Sequence, residues 1–171
     1  FPQPTTNFPI RNEPRMINLP DPGLYRTTKP YPGYEQEIPE GALVYVGKNP
    51  DTGVTFVVRP GSNRRNRWYW GEPTIPLRST VWAQTLIPLR AEGFYTLPQD
   101  IDTGDGGRWI KNAIVQLGYN REGQGIIFVG ELHDNEERNV LLFSDRGMIV
   151  DDGLLDRLIW APILPVSQPK E

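Results

Sequence analysis

The residues best suited to binding a partner lie in one basic and aromatic segment between positions 59 and 70. Its candidate binding residues are Arg59, Arg64, Arg65, Arg67, Trp68 and Trp70. Guanidinium groups bind phosphates, and aromatic rings stack on bases or on the flat faces of sugars. The alternation of Arg67 and Tyr69 with the two tryptophans is also typical of a strand with one buried face. The segment therefore predicts either a core strand beside a charged loop or a patch that binds protein, glycan or nucleic acid.

Charge is distributed unevenly along the chain. Residues 1–90 carry 11 Lys and Arg against 7 Asp and Glu, a net +4, whereas residues 91–171 carry 7 against 14, a net −7. The loop that matches the basic segment in the second half has the candidate partner-binding residues Glu131, Asp134, Glu136 and Glu137. Because opposite fields steer association, we expect the basic half of one subunit to bind the acidic half of the next. The alternatives are that the two loops face solvent or that the charges meet within one chain.

The partner predicted from this charge pattern is a protein. The isoelectric point is near 5.3, and nucleic-acid affinity rests largely on neutralising phosphates. Nucleic acid is therefore a disfavoured partner, and a homo-oligomer or a larger assembly is the expected state. No apolar run approaches the roughly 20 residues that a membrane-spanning helix needs.

Catalytic and metal chemistry have little support in the sequence. The absence of Cys and the single His argue against a thiolate zinc site, a cysteine nucleophile and a His-based triad. Asp100, Asp102 and Asp105 match a calcium loop in composition only, since Lys111 stands where the bidentate Glu is required. Glycine-rich nucleotide loops and a nucleophile elbow are also missing. We therefore predict a protein that is not an enzyme and that needs no cofactor or metal.

Two stretches of the chain resemble each other. Residues 42–58 read ALVYVGKNPDTGVTFVV, and residues 113–130 read AIVQLGYNREGQGIIFVG. Each predicts a β-hairpin, because Asn, Asp and Gly in the middle tolerate the backbone that tight turns require. Trp82 and Trp160 follow at comparable distances and are expected to fill equivalent core or interface positions. The interpretation is an internal duplication, with two unrelated hairpins as the alternative.

The spacing of short apolar runs and turns predicts an all-β protein. Four or five strands in each repeat are typical of a small barrel, SH3-like or OB-like. The expected organisation is one barrel over 41–92, an Asp/Gly-rich connector over 93–112 and a second barrel over 113–171. In the second copy, Asp151 or Asp152 is expected to begin a short helix.

Residues 1–40 are predicted to form an extended arm. Nine of the 18 prolines fall there, and each fixes φ and removes a backbone donor. Apolar residues recur along it and are expected to anchor it on its own surface or on a neighbouring subunit: Phe8, Ile10, Ile17, Leu19, Tyr25 and Tyr31. The alternative is a disordered tail.

These features together predict a structural or assembly protein of a virion or of a bacterial envelope machine. The chain begins at Phe1 without an initiator Met, so either a leader was removed or the numbering starts inside a longer product. An exported or virion location is therefore favoured over a cytoplasmic one.

Overall fold

The computed structural model describes residues 19–133 and 139–164. Strands account for 40% of these described residues and helices for 7%, which confirms the predicted β class. In chain order, the described strands are β1 Gly23–Arg26, β2 Leu43–Lys48, β3 Thr55–Val58, β4 Pro60–Arg64, β5 Arg67–Trp70, β6 Ile75–Pro76, β7 Ile87–Pro88, β8 Gly93–Thr96, β9 Ile101–Asp102, β10 Arg108–Trp109, β11 Ile114–Tyr119, β12 Gly125–Leu132, β13 Leu141–Phe143, β14 Met148–Val150 and β15 Ile159–Trp160. The helices are α1 Thr80–Ala83 and α2 Asp152–Arg157.

Two antiparallel sheets dominate the fold. The first has the order β6-β3-β2-β1-β7, and the second has the order β13-β12-β11-β8-β15 with β14 also paired to β12. In each sheet the first and last strands of the half lie side by side, and a short helix precedes the last strand. Hairpins β4-β5 and β9-β10 form two further small sheets.

The barrel prediction is wrong for the described residues, because no sheet there closes on itself. In the first sheet the edge strands β6 and β7 are two residues long, and each pairs with one neighbour only. Closure requires the edges of a sheet to pair with each other. The body is therefore built from packed open sheets.

Four of the described strands lie where the sequence predicted an arm or a connector: β1 in the arm, and β8, β9 and β10 in the connector. Strand β1 belongs to the range 1–40, yet it pairs with β2 and β7 inside the first sheet. Strand β8 belongs to the range 93–112, yet it pairs with β11 and β15 inside the second sheet. The arm and connector predictions need correction at these residues, and the division into domains stays a prediction.

The predicted hairpins are present, and Asn side chains shape both of their turns. Asn49 Oδ1 accepts hydrogen bonds from the amides of Asp51 and Thr52. Asn120 Oδ1 accepts from the amides of Glu122 and Gln124. These local bonds replace ladder partners that the turning backbone cannot reach.

The predicted short helix in the second half is α2. It begins at Asp152, and the Asp151 carboxylate accepts a hydrogen bond from the Leu154 amide at 2.7 Å. This bond satisfies one of the free N–H groups at the start of the helix.

Each sheet covers a hydrophobic core on its inner face. The first core is formed by Tyr31, Ile38, Val44, Val46, Val57, Ile75, Leu77, Trp82, Ala83 and Leu86. The second is formed by Leu43, Tyr95, Leu97, Val115, Leu117, Tyr119, Ile127, Val150, Leu155 and Leu158. Trp82 and Trp160 are therefore not equivalent, because Trp82 is buried in the first core and Trp160 is half exposed at the edge of the second sheet.

The second core is closed by residues of the first half. Leu43 is fully buried in it, and Leu24, Leu89 and Trp68 pack against it. Leu24 and Leu43 project from the outer face of the first sheet, since Leu43 lies opposite Arg26 and side chains alternate along a strand. The first sheet thus has both faces covered.

Candidate protein-interaction surfaces

Hairpin β4-β5 carries most of the predicted basic and aromatic segment. Arg65 and Asn66 form its two-residue turn, and both have positive φ, which right-twisted hairpins favour. Along β5, Arg67 and Tyr69 are exposed, whereas Trp68 and Trp70 are half-buried. The interpretation as a strand with one inward face is confirmed.

Trp68 and Trp70 pack inside the protein. Trp68 donates a hydrogen bond from Nε1 to the Tyr119 carbonyl at 2.7 Å, and Arg121 lies over its ring at 5.0 Å. Trp70 stacks on Tyr45 with ring centroids 5.3 Å apart. Their role as partner-binding residues stays a prediction, and these intramolecular contacts do not favour it.

The opposite side of the hairpin presents Arg64, Arg67 and Tyr69 to solvent. Tyr69 is 50% exposed, and the Arg64 guanidinium lies 5.5 Å from its ring centroid. Within the described ranges, none of Arg64, Arg65 and Arg67 forms an ion pair. This basic face can therefore accept an acidic group from outside.

Arg59 lies apart from the other arginines of the basic segment, Arg64, Arg65 and Arg67. Its Nη1 donates to the Glu37 carbonyl, and its buried Nε has no protein partner among the described residues. Burial and the nearby Arg121 guanidinium lower its pKa. Its surroundings indicate a structural position beneath the hairpin.

Glu92 connects the hairpin to the second half. Its carboxylate accepts the Trp68 backbone amide at 3.1 Å. Burial raises the pKa of Glu92 to about 6, against the opposing effects of this hydrogen bond and of Arg67. The charge state of Glu92 is consequently coupled to the packing of hairpin β4-β5 against the second half.

The predicted acidic residues are only partly described. Glu131 is exposed near the end of β12, opposite Leu142. Asp134, Glu136 and Glu137 lie outside the described residues. Their proposed complementarity to the basic hairpin stays a prediction.

The predicted arm anchors are also only partly described. Phe8, Ile10 and Ile17 lie outside the described residues, and Leu19 is exposed at the start of the described chain. Tyr25 lies in β1, and its hydroxyl donates to the Asp21 carbonyl at 2.7 Å. Tyr31 is buried in the first core, so these two tyrosines anchor a part of the fold itself.

Sequence reasoning missed an apolar surface on the outer face of the second sheet. We define this outer face by the side chains that share one side of β15, β8, β11, β12 and β13: Phe94, Ile114, Leu132, Leu141, Phe143 and Ile159. Phe94 and Phe143 are in contact with centroids 5.1 Å apart. Ile159 is 51% exposed and Leu132 is 71% exposed. Exposed apolar patches of this kind mark interaction sites.

A signal for this face was present in the sequence. Residues 125–129 and 140–143 are continuous apolar runs, which are typical of strands with two covered faces. One face of these strands covers the second core. The other is covered in its middle, where Phe128 is buried, by the tip of hairpin β4-β5, at which Gln116 Nε2 donates to the Arg65 carbonyl, and by the turn at Gly147, which approaches Ile126 and Phe128. The apolar residues towards its edges are exposed.

The acidic clusters serve local structure. Arg108 lies 3.6 Å from Asp100 and 3.5 Å from Asp102, and Asp105 accepts hydrogen bonds from Thr103 and Gly107. Three-residue groups of His, Asp or Glu arranged to hold a metal were not found among residues 19–133 and 139–164.

A cleft of about 510 Å³ lies between the two halves, beside Arg26 and Asp152. These residues form a bidentate ion pair with distances of 3.1 and 2.5 Å. Arg26 also donates to the Gly123 carbonyl at 3.2 Å. The pair ties the second half to the outer face of the first sheet.

Comparisons with known proteins gave no match. Neither a protein-family model, nor a curated protein, nor a solved structure matches the chain. In the part of the chain that the structure describes, both helices are far too short to cross a bilayer.

Proposed function

We propose that this protein is a non-enzymatic structural component that self-associates within a larger assembly. The observation that carries the proposal is the exposed outer face of the second sheet, where Ile114, Leu132, Leu141 and Ile159 are each more than a third exposed. Burying such a surface gains about 25 cal/mol per Å² of apolar area. A virion or a bacterial envelope machine is the proposed setting.

The proposed occupant of the outer face is the first half of a second copy. A similar contact within the chain supports this choice. The outer face of the first sheet is already covered by the second half, which has the same strand order as the first. The opposite net charges of residues 1–90 and 91–171 favour contact between unlike halves. Contacts between unlike surfaces produce rings or filaments.

An internal duplication is part of the proposal. It is supported by the shared strand order and by Tyr25 and Tyr95, each of which donates its hydroxyl to the carbonyl four residues earlier at 2.7 Å. A duplicated chain supplies two related surfaces, of which one is covered internally.

The test is the mass in solution of the full chain with Leu141→Lys, measured by light scattering and native mass spectrometry. We expect the wild type to form oligomers. The variant should need about tenfold higher protein concentration to form them. Ile110→Lys is the matched control, because Ile110 is an exposed apolar residue of the second half that is not part of the outer face. A monomeric wild type, or equal association of both variants, would contradict the proposal.

The second candidate is a glycan- or nucleic-acid-binding module, which the exposed strip of Arg64, Arg67 and Tyr69 favours. Titration of Trp fluorescence with oligonucleotides and oligosaccharides tests it. Binding that is lost in Tyr69→Ala supports this alternative, whereas an unchanged signal with every ligand rejects it.

A further inference from the structure

The edges of the two large sheets differ in how they are protected. The first sheet ends on β6 and β7, and each of these strands contains a proline. The amides of Leu77 and Leu89, one residue further on, donate to the neighbouring strands. Because successive residues of a strand point their backbone groups in opposite directions, Pro76 and Pro88 face away from the sheet. Proline offers no N–H there, and natural proteins use this to keep an edge from pairing with another chain.

One edge of the second sheet, β15, ends in a similar way. The Ala161 amide donates to the Phe94 carbonyl at 3.0 Å, so the backbone of the preceding Trp160 faces outward. The chain then reaches Pro162, which has no N–H to donate. An added strand would therefore find only one residue of β15 with which to pair.

The other edge of the second sheet lacks a proline. It is formed by β13 and β14, and the sequence has no proline over 139–150. The Val140 carbonyl accepts the amide of His133, just after β12, at 3.0 Å, and the Ser144 amide donates to Val129 of β12 at 3.3 Å. Both ends of β13 therefore point their backbone groups towards β12.

The residues between these two bonds expose unpaired backbone groups. Alternation along the strand turns the N–H and C=O groups of Leu141 and Phe143 away from β12. Among the described strands, β13 pairs with β12 alone. An extended chain laid along this edge would find two donors and two acceptors at the spacing of an antiparallel ladder.

The side chains of β13 restrict what can pair with it. Leu141 and Phe143 belong to the outer face, whereas Leu142 projects from the opposite side of the sheet and is 47% exposed. The stretch Asn139–Ser144 carries no charge. Main-chain hydrogen bonds give an added strand its affinity, and its alternate side chains give specificity. The fitting partner is an uncharged strand that is apolar on both faces.

We propose that β13 pairs with β13 of a second copy in antiparallel orientation. The strand itself meets both requirements, and two uncharged copies meet without repulsion. With Leu142 opposite Leu142 of the second copy, Leu141 lies opposite Phe143 of that copy, and each such pair exchanges both N–H···O bonds. The inference rests on the proposed self-association and adds to it a symmetric contact, in which both copies use the same surface.

The test uses the absence of Cys from the chain, so that an introduced thiol is unique. In the Leu142→Cys protein the two thiols would face each other at a non-hydrogen-bonded position, where Cα atoms lie about 4.5 Å apart and can be bridged. Val140→Cys is the matched control, because Val140 is exposed on the same face of the same segment but would lie opposite Ser144. Oxidation should give the dimer about tenfold more efficiently for Leu142→Cys than for Val140→Cys.

Two further variants act on the edge itself. Leu141→Pro removes an outward donor and leaves the hydrogen bonds to β12, so adding it to Leu142→Cys should reduce cross-linking to the control level. Leu142→Lys places like charges opposite each other and should raise the protein concentration needed for the dimer by about fivefold. Equal cross-linking of the two Cys variants overturns the inference. So does a folded Leu141→Pro variant that still cross-links, or a Leu142→Lys protein with unchanged association.

Ile159→Lys separates this contact from the one proposed at the outer face. Ile159 belongs to that face but lies on β15, at the edge opposite to β13. The Leu142→Cys cross-link should therefore survive this change, and its loss would overturn the inference. A retained cross-link with an unchanged native mass of Ile159→Lys contradicts the outer-face contact alone. A missing cross-link with a lowered native mass rejects the edge contact and leaves the proposed function standing.

Discussion

Leu43 and Ile114 occupy comparable positions in two sheets of the same strand order, yet only Leu43 is buried. Leu43 lies opposite Arg26 in the first sheet, and Ile114 lies opposite Thr96 in the second. Leu43 is 0% exposed because the second half covers it, whereas Ile114 is 39% exposed. The strands themselves therefore do not decide which face is buried, and the neighbouring half does.

The difference extends to the polar residues that accompany each face. Arg26 on the first sheet reaches Asp152 and the Gly123 carbonyl of the second half. Its positional counterpart Thr96 is uncharged and cannot form such an ion pair. The first outer face is an internal interface, whereas the second leaves apolar side chains exposed, and we propose that these form an external one.

The largest expected effect separates the two faces directly. We expect Leu43→Ala to lower the free energy of unfolding by ~2–5 kcal/mol, because it leaves a cavity in the second core. Ile114→Ala should cost under ~1 kcal/mol in the monomer, since its side chain is already partly in water. Urea unfolding measures both. Similar losses for the two variants would remove the distinction between the faces.

The next effect concerns the ion pair between the halves. We expect Arg26→Met to cost ~1 kcal/mol at neutral pH, because one side chain of the pair is largely buried and the other is exposed. The pKa of Asp152 is lowered by its hydrogen bond to Arg26, so this stability is lost as the pH falls through that lowered pKa. Arg108→Gln, at an exposed pair, is the control and should have a smaller effect. An Arg26→Met cost that does not decrease in acid contradicts the assignment.

The third effect concerns Glu92, whose carboxylate holds the hairpin that lies between the two halves. Because burial raises its pKa to about 6, the folded state binds the proton more tightly than the unfolded state. Stability from this group is full below the ordinary pKa near 4.5 and is lost as the pH rises through 6. Glu92→Gln should therefore stabilise the protein by ~1 kcal/mol at pH 8, after allowance for solvent screening.

The same variant should have no effect on stability near pH 4, where Glu92 is protonated. Denaturant unfolding at the two pH values measures the difference. A gain that is equal at both would assign the effect to packing of the amide and not to ionisation.

The smallest effect compares Tyr95 with Tyr25. Both donate a hydroxyl to the carbonyl four residues earlier, but Tyr95 is buried and Tyr25 is only partly so. Tyr95→Phe should cost ~1 kcal/mol and Tyr25→Phe about half as much, because the hydrogen bond of Tyr95 is partly buried and that of Tyr25 is exposed to water. Thermal unfolding resolves the pair, and a larger loss at Tyr25 would reverse the expected order.

Local turn chemistry explains why the two hairpins could be predicted. Asn49 and Asn120 stand between apolar runs, and the same side chains shape the turns in the structure. Strand β1 could not be found in this way, because it is four residues long and lies next to Pro22 in a proline-rich stretch. Its partners are 17 or more residues away, at β2 and β7.

The outer face marks the limit of prediction for the candidate site. Apolar residues on both sides of β12 indicate that both sides will be covered. They do not tell whether the cover comes from the same chain or from another one. Trp68 shows the converse, because its aromatic ring suggested an external ligand and instead packs on the second core.

Closure of the second core by Leu24 and Leu43 has a consequence for synthesis on the ribosome. The first core is formed entirely from residues between Tyr31 and Leu86, so it can assemble as soon as that stretch has emerged. The second half emerges later onto a surface that is already folded, since domains generally fold in order from the N-terminus. We therefore expect the first half to serve as a template for the second. If the order of the two halves were reversed, the second core would stay open until Leu24 and Leu43 had been synthesised.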